Sequence, residues 1–198
     1  AMDGVRAFNM RGINLTIPHK VEVLKYLDEL SPAAEIIGAV NMVINKDNRL
    51  WGDNTDGKGF MQSLTENGIS PAGKHIMVLG AGGASRAICV ECALAQAESI
   101  TVVNIAREQG EELVRLLNEK TKAKADFIFW NEPVSVKPNI DILVNATSLG
   151  LYPNTHEKPP INYDSVTGDM VVCDVIFNDP NTIFLAEAKK RGAKTING

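Results

Sequence analysis

The feature that most constrains the fold is a short apolar run that leads directly into a glycine-rich loop and a helix-prone segment. Residues 76–79 read Ile-Met-Val-Leu, and residues 80–87 read Gly-Ala-Gly-Gly-Ala-Ser-Arg-Ala. A glycine turn between a strand and a helix lets the backbone approach a diphosphate, whose charge is met by unpaired N–H groups and the helix dipole. The GxGG spacing is a variant of the dinucleotide fingerprint, and a tight structural turn is the alternative interpretation.

Strands and helices alternate from this loop to the end of the chain. The apolar patterns predict strands at 75–79, 99–103, 125–130, 141–145, 170–175 and 193–196, and helices at 84–96, 107–119 and 181–191. Alternation of this kind is typical of a parallel sheet with right-handed crossovers. We therefore predict an α/β fold with a Rossmann-like parallel-sheet domain that binds a dinucleotide.

The chain before the loop has a different pattern. It predicts a strand over Gly12–Ile17, a helix over Lys20–Leu30 that Ser31-Pro32 closes, and a helix that follows Asn54–Gly57 and runs to about Asn67. Between the two helices, strands at 39–45 and 49–52 form a hairpin around a polar turn. Glycine and proline at 68–74 mark the boundary. We predict a partial open α/β catalytic domain over 1–70 and the dinucleotide-binding domain over 71–198. Residues 1–8 resemble the end of a helix, and we expect a fragment.

Composition narrows the classes of function. The 198 residues are 44% hydrophobic and 22% charged with a net charge of -4, which indicates a globular protein without affinity for nucleic acid or an anionic membrane. No membrane-length apolar run or leader is evident, so we expect a cytoplasmic protein, for which a homodimer would be ordinary. Cys89 and Cys92 form a CxxC without a second Cys or His pair, which predicts helix packing and no metal site, and Cys173 leaves the number of cysteines odd.

Five blocks of residues, in order and at similar spacing, resemble those of the shikimate and quinate/shikimate dehydrogenases. The resemblance runs nearly end to end, but it corresponds to the middle of a full-length family member. It lacks the first strand and helix with a serine-containing carboxylate motif, and the closing helices with a substrate-binding glutamine. The blocks are Asn14–Lys20, Gly38–Asn41, Asn54–Gly57, the loop at Gly80 and Asn145–Gly150.

The resemblance implies an activity and a set of roles. The family transfers a hydride reversibly between NADP and the ring carbon that is a ketone in 3-dehydroshikimate and an alcohol in shikimate, a step of aromatic amino-acid biosynthesis. Lys20 and Asp56 would be the catalytic pair, with the lysine supplying a proton and the carboxylate orienting it. Thr16 and Asn41 would contact the substrate. The implied cofactor contacts are Gly80, Ala81, Gly82, Gly83, Ala84, Ser85, Asn104, Arg107, Thr147, Ser148, Val175 and Gly198.

Several alternatives remain open. Taken singly, Lys20 would be a solvated lysine and Asp56 a helix cap, and only their joint occurrence favours catalysis. The second strand of the Rossmann-like domain ends at Asn104 without a carboxylate, which favours NADP over NAD, although Arg107 could equally be a solvent-exposed helix residue. Phe177 stands where the family usually has tyrosine, so a hydroxyl that could bind substrate is missing. The rival functions are a quinate/shikimate dehydrogenase and an inactive nucleotide-binding module.

Overall fold

A computed structural model describes residues 1–16 and 18–198, and the first part of the chain forms a mixed four-stranded sheet. In space the strands follow the order β1-β3-β4-β2, with ranges β1 (Gly12–Asn14), β2 (Glu29–Leu30), β3 (Met42–Lys46) and β4 (Arg49–Asp53). The helices of this part are α1 (Met2–Ala7), α2 (His19–Glu22), α3 (Pro32–Ile37) and α4 (Asp56–Glu66), with a 3-10 turn at Val23–Tyr26. The predicted strand over Gly12–Ile17 thus ends at Asn14, and Ile17 lies outside the described residues.

The second part of the chain contains a parallel six-stranded sheet. Its strands are β5 (His75–Leu79), β6 (Ser99–Asn104), β7 (Lys124–Phe129), β9 (Ile142–Asn145), β11 (Val171–Asp174) and β12 (Lys194–Ile196), in the spatial order β12-β11-β9-β5-β6-β7. Helices α5 (Gly83–Leu94), α6 (Arg107–Lys120) and α7 (Ile183–Lys190) connect them. Two short strands that were not predicted, β8 (Val134–Ser135) and β10 (Ile161–Asn162), pair in parallel. The predicted α/β class is confirmed, while the division into 1–70 and 71–198 stays a prediction.

The predicted hairpin is present and has a tight turn, although its first strand begins at Met42 and not at residue 39. Asp47 and Asn48 both have positive φ, 51° and 64°, which two-residue hairpin turns require and which Asp and Asn tolerate better than most residues. The strands pair from Met42 opposite Asp53 to Lys46 opposite Arg49. The hairpin therefore places Asp53 and the loop after it beside the start of β3.

The predicted helix over Lys20–Leu30 is wrong beyond Tyr26. Leu27 is extended, with φ -97° and ψ 146°. Strand β2 begins two residues later, at Glu29, and pairs with β4 in parallel. The Asp28 carboxylate accepts a hydrogen bond of 2.6 Å from the Leu50 backbone N–H. Gly52 lacks the side chain that would collide with Leu27, since a Cβ there would lie 2.5 Å from the leucine Cδ1. Tertiary pairing thus overrides the helical spacing of the apolar residues.

Ser31 begins a helix instead of ending one. Its hydroxyl accepts from the Ala34 backbone N–H at 3.1 Å, and Pro32 occupies the first turn of α3, both of which are favoured at a helix start. Gly38 ends α3 in the left-handed conformation with φ 70°. This short helix, absent from the sequence prediction, turns the chain back toward Asn41.

Apolar residues alternate between the two faces of the six-stranded sheet, as the strand period requires. One face, with Ile76 and Val78, packs against α5 and α6, and the same core includes Ile37 of α3 and Leu64 of α4. The other face packs against α7 and the segment around Tyr163. A third cluster lies on the four-stranded sheet. Helix α5 is therefore covered on one side by its own sheet and on the other by helices of the first part. Within the described ranges, no helix combines the length and apolar character needed to cross a membrane.

Candidate active site

The carboxyl ends of the central parallel strands meet at one edge of the sheet. Leu79 at the end of β5 pairs with Asn145 at the end of β9, which pairs in turn with Asp174 at the end of β11. The loops that follow these strands line a cleft of about 820 Å³. Residues at the start of α4, including Asp56 and Phe60, line the same cleft. The cleft thus lies where ligands bind in open α/β sheets, and both parts of the chain contribute to it.

Lys20 and Asp56, which are far apart in sequence, form an ion pair in the structure. The Lys20 Nζ lies 2.7 Å from Asp56 Oδ2, and the side chains are 25% and 39% exposed. The other carboxylate oxygen, Oδ1, accepts from Asn41 Nδ2 at 2.7 Å. Both oxygens of Asp56 therefore have fixed donors, which holds the carboxylate in one orientation next to the ammonium group.

The backbone around this pair is held by further hydrogen bonds. The Asn41 Oδ1 accepts from the backbone N–H of Thr55 at 2.9 Å and from its hydroxyl at 3.2 Å. The Asn54 Oδ1 accepts from the Asp56 N–H at 3.1 Å, the Asx turn expected before a helix. On the lysine side, the Lys20 carbonyl accepts from the Val40 N–H at 2.8 Å. The ammonium and the carboxylate are thus attached to neighbouring, mutually bonded segments.

A buried carboxylate supports the loop that carries Asp56. Asp53 is 3% exposed, and its Oδ1 accepts from the Ser31 hydroxyl at 2.5 Å and from the Asn54 N–H at 2.9 Å. Its Oδ2 forms an ion pair with Lys58 on the first turn of α4. Asp53 therefore ties α3, the loop and α4 together below the Lys20–Asp56 pair.

The glycine-rich loop has the features of an anion cradle. Gly80 has φ 102°, and a Cβ there would lie 2.9 Å from the Ala146 carbonyl oxygen, so only glycine fits. At Gly82 and Gly83 a Cβ would meet nothing within 4 Å, which leaves the backbone open to the cleft. No side chain caps the N-terminus of α5, and its first turn has no acidic residue. The free N–H groups and the helix dipole there suit a diphosphate.

The cleft contains half of the residues predicted for the site. Asp56 lies on one wall, and the predicted cofactor residues on the other walls are Gly82, Gly83, Ala84, Thr147, Ser148, Val175 and Gly198. Lys20 and Asn41 do not line the cleft themselves but contact Asp56. Thr16 is exposed and follows Leu15, whose N–H donates to the Asn41 carbonyl at 2.8 Å. The two residues predicted to contact substrate therefore lie on adjacent segments.

Other predicted residues lie below or outside the cleft. Ala81 is 6% exposed and belongs to the core, and Ser85 is fully buried, with its hydroxyl donating to the Gly80 carbonyl at 2.6 Å. Both shape the loop from inside. The Asn104 amide donates to the Ala106 carbonyl at 3.0 Å. The Arg107 guanidinium lies 4.5 Å from the centre of the Phe129 ring and bonds Glu111 at 3.3 Å, so its contacts are within its own part of the surface.

A buried polar group in the wall of the cleft was not predicted from the sequence. Asp174 is 3% exposed and lines the cleft, and burial raises the pKa of its carboxyl against the opposing effect of hydrogen bonds from Thr182, Ile176 and Asn145. The signal was present, since an aspartate directly after an apolar strand is unusual unless it is bonded or functional. Phe177, by contrast, is 79% exposed at the cleft.

The two cysteines of the CxxC are packed inside a helix, as the sequence predicted. Cys89, Cys92 and Cys173 are free and buried, and burial raises the pKa of the Cys89 and Cys173 thiols to about 12. Among the residues that the structure describes, no group of three or more His, Cys, Asp or Glu side chains is placed to hold a metal ion.

An ammonium–carboxylate pair at a cleft whose opposite wall is a dinucleotide-type glycine loop is the arrangement of a nicotinamide-dependent oxidoreductase. The family model of the shikimate dehydrogenase substrate binding domain matches residues 1–43. A shikimate dehydrogenase (NADP(+)) from Desulforamulus reducens is 44% identical over 201 residues, which span 100% of this chain and 69% of that protein. The chain belongs to the shikimate dehydrogenase family, as its sequence motifs predicted.

Solved structures agree with this assignment. The ligand-free 5-ketofructose reductase of Gluconobacter sp. strain CHM43 superimposes with a TM-score of 0.93 and 47% identity, covering 98% of this chain and 69% of that one. Shikimate 5-dehydrogenase from Listeria monocytogenes, solved in complex with shikimate and NAD, gives a TM-score of 0.92 and 36% identity, with coverage of 99% and 70%. The likeness thus extends over both parts of the chain.

Proposed function

We propose that this protein catalyses the reversible NADP-dependent reduction of 3-dehydroshikimate to shikimate, a step of aromatic amino-acid biosynthesis. The observation that carries the proposal is the Lys20–Asp56 ion pair of 2.7 Å beside a cleft lined by the glycine loop. Names of relatives that are 38% to 44% identical over the whole chain support the substrate. The proposed roles of Thr16 and Asn41 are to contact the substrate at the same end of the cleft.

The chain's own residues supply the proton transfer. Reduction of a ketone leaves negative charge on its oxygen, and the Lys20 ammonium can donate a proton to that oxygen. Asp56 holds the ammonium by a charge-assisted hydrogen bond, and Asn41 prevents the carboxylate from rotating away. In the reverse direction the same nitrogen accepts the proton of the alcohol. The lysine side chain is only 25% exposed, which limits competition from water.

The dinucleotide would be held by the N-terminus of α5. The uncapped N–H groups at Gly82 to Ala84 would bind the diphosphate, and the loops at Thr147, Ser148, Val175 and Gly198 form the rest of the wall. When bound, the nicotinamide supplies or accepts the hydride. We propose NADP as the cofactor, because relatives carry NADP(+) in their names and β6 ends at Asn104, without the carboxylate that would repel a 2′-phosphate at that position. NAD stays the alternative, and kinetics with each cofactor decide between them.

Replacement of Lys20 by alanine in the full-length protein tests the catalytic role. We expect kcat to fall by about 10²- to 10⁴-fold, since that is the usual contribution of a positioned acid or base. The affinity for NADP should change little, because Lys20 lies outside the glycine-loop wall. Lys25→Ala is the matched control, since this lysine is in the same segment but forms its ion pair with exposed Glu22. Equal turnover in Lys20→Ala and the wild type would reject the role given to Lys20.

A second candidate function is reduction of another polyhydroxylated ketone. The 5-ketofructose reductase is 47% identical, more than the 44% of the Desulforamulus reducens shikimate dehydrogenase, and Phe177 brings no hydroxyl to the cleft. A quinate/shikimate dehydrogenase of broader specificity is the rival from the sequence analysis. Assays that offer shikimate, quinate and fructose with each cofactor distinguish the three. Absence of turnover with all of them, together with dinucleotide binding, would favour an inactive module.

Cytoplasmic location and a homodimer stay predictions from the sequence. Cell fractionation tests the first. Sedimentation of the purified protein tests the second.

A further inference from the structure

Four side chains form a continuous hydrogen-bonded network at the wall of the cleft. Thr182 donates its hydroxyl to Asp174 Oδ2 at 2.6 Å, and Asn145 Nδ2 donates to Asp174 Oδ1 at 3.0 Å. The Asn145 Oδ1 accepts from the Thr147 hydroxyl at 2.7 Å and from its backbone N–H at 3.1 Å. Asn145, Asp174 and Thr182 are 0%, 3% and 3% exposed. The network therefore connects the ends of two adjacent strands to the loops that follow them.

The donors and acceptors of this hydrogen-bonded network almost all have partners. The second N–H of the Asn145 amide donates to the Leu149 carbonyl at 3.2 Å, so both its donors and its acceptor have partners. Asp174 Oδ1 also accepts from the Ile176 N–H at 3.1 Å. Only neutral donors surround the carboxylate, and no cation of the described residues contributes to holding it. A buried carboxylate without a cation is costly, which indicates that it has a purpose beyond stability.

The segments that Asp174 connects line the cleft proposed to hold the dinucleotide. One is the Ala146–Ser148 loop, and the other begins with Val175 and Ile176, and all of these line the cleft. The Ala146 carbonyl lies so near Gly80 that a Cβ on the glycine would approach it to 2.9 Å. Any shift of the Ala146–Ser148 loop would therefore press on the glycine loop or leave it unsupported.

We propose that Asp174 is a positioning residue for the dinucleotide: it accepts hydrogen bonds from two strand-end loops and thereby fixes the wall opposite Asp56. This inference rests on the proposed function in that the ligand is a nicotinamide dinucleotide. Asp174 acts through the Asn145 amide and the Ile176 N–H and takes no part in proton transfer.

Two substitutions of Asp174 in the full-length protein test the proposal. Asp174→Ala leaves three donors without an acceptor, and we expect the dissociation constant for NADP, measured by fluorescence of the reduced form, to rise about tenfold. Asp174→Asn keeps an oxygen for Asn145 and Ile176, so its dissociation constant should stay within about threefold of the wild type. Steady-state kinetics should show the KM for the dinucleotide rising in Asp174→Ala, with kcat at saturating cofactor and the KM for substrate nearly unchanged.

Additional variants keep the test decisive. If Asp174→Ala does not fold, Thr182→Val removes one donor and should raise the dissociation constant about threefold, while Thr182→Ser should restore it. Asp141→Asn is the control, because this carboxylate precedes β9 at the opposite edge of the sheet. There it accepts hydrogen bonds from Lys74 and from the His75 N–H. The Asp141→Asn variant should bind NADP like the wild type.

The outcomes separate this inference from the proposed function. Wild-type affinity for the dinucleotide in both Asp174→Ala and Thr182→Val, with the wild type binding NADP, would overturn the inference alone. An equal fall of affinity in Asp141→Asn would also overturn it, since the effect would then be one of general stability. A wild-type protein that binds neither NADP nor NAD would overturn the proposed function as well.

Discussion

Replacement of Gly57 by alanine probes the contact between the helix that begins at Asp56 and the helix that begins at the glycine loop. A Cβ on Gly57 would lie 2.5 Å from the Ala87 carbonyl oxygen and 2.7 Å from Glu91 Cγ, whereas ordinary contact begins at 3.4 Å. Helices α4 and α5 would have to move apart by several tenths of an ångström. Gly59, in the same helix, is the matched control, because a Cβ there would meet nothing within 4 Å.

The expected magnitudes follow from these surroundings. Overpacking costs about 1–3 kcal/mol, and the better helix propensity of alanine offsets up to about 1 kcal/mol of it, so Gly57→Ala should lose roughly 1–2 kcal/mol of unfolding free energy. For a chain of this size, that loss lowers Tm by about 2–8 °C. Gly59→Ala should gain about 0.5–1 kcal/mol and raise Tm by about 1–4 °C.

Thermal unfolding followed by circular dichroism measures both variants, and turnover adds a second reading. Because Asp56 directly precedes Gly57, displacement of α4 should lower kcat of Gly57→Ala by about 10- to 100-fold. If Gly57→Ala were as stable as Gly59→Ala and kept full kcat, the reasoning that close helix packing fixes the carboxylate would be refuted.

Three further predictions concern other parts of the chain. Because only a thiolate reacts readily, the buried thiols of Cys89 and Cys173, with pKa values of about 12, should not react with a disulfide reagent at pH 8 until the protein unfolds; fast labelling of native protein would contradict their burial. Hydrogen bonds from Lys190 and Arg191 lower the pKa of Glu187 from 4.5 to about 2, so its stabilising effect is present above pH 4.5 and lost toward pH 2. The difference in Tm between wild type and Glu187→Gln should shrink over that range, and a constant difference would refute this. Arg107→Ala should reduce kcat/KM with NADP by about 10-fold or more relative to NAD if the guanidinium leaves Phe129 to bind a 2′-phosphate, and an unchanged ratio would assign Arg107 to packing.

The Rossmann-like part was predictable because its signals are local. The apolar run before Gly80 and the glycine loop itself indicate a strand, a turn and a helix within a short window, and β5 has the predicted bounds, His75–Leu79. The other predicted strands and helices of this part differ from the structure by one or two residues at their ends, where local signals are weakest. The paired strands β8 and β10 were not predicted, because strands of two residues leave no periodic pattern in the sequence.

The first part of the chain was less predictable because distant contacts decide its conformation. Leu24, Leu27 and Leu30 have helical spacing, but Asp28 bonds the Leu50 N–H and the segment after it pairs with β4. Nothing in the local sequence records that competition. The Lys20–Asp56 contact was anticipated only from the resemblance, since the two residues taken singly have ordinary surface roles.

The polar chain through Asp174 escaped prediction for a related reason. Asn145 and Asp174 belong to strands separated by a long connection, and only the parallel register of β9 and β11 brings their side chains together. Thr182 adds a partner from the start of α7. A single sequence shows each residue at a strand end or helix cap, but it does not show that they share hydrogen bonds.

The close approach of α4 to α5 has a mechanical consequence for an enzyme that must admit substrate and then exclude water. Gly57 lies against Ala87 near the first turns of both helices, so this contact can serve as the pivot about which α4 rotates relative to α5. In such a rotation, atoms near the pivot move little, and atoms far from it move most. We expect the outer edges of the cleft to move apart when it opens, while the distance between the Asp56 carboxylate and the glycine loop stays nearly constant during turnover.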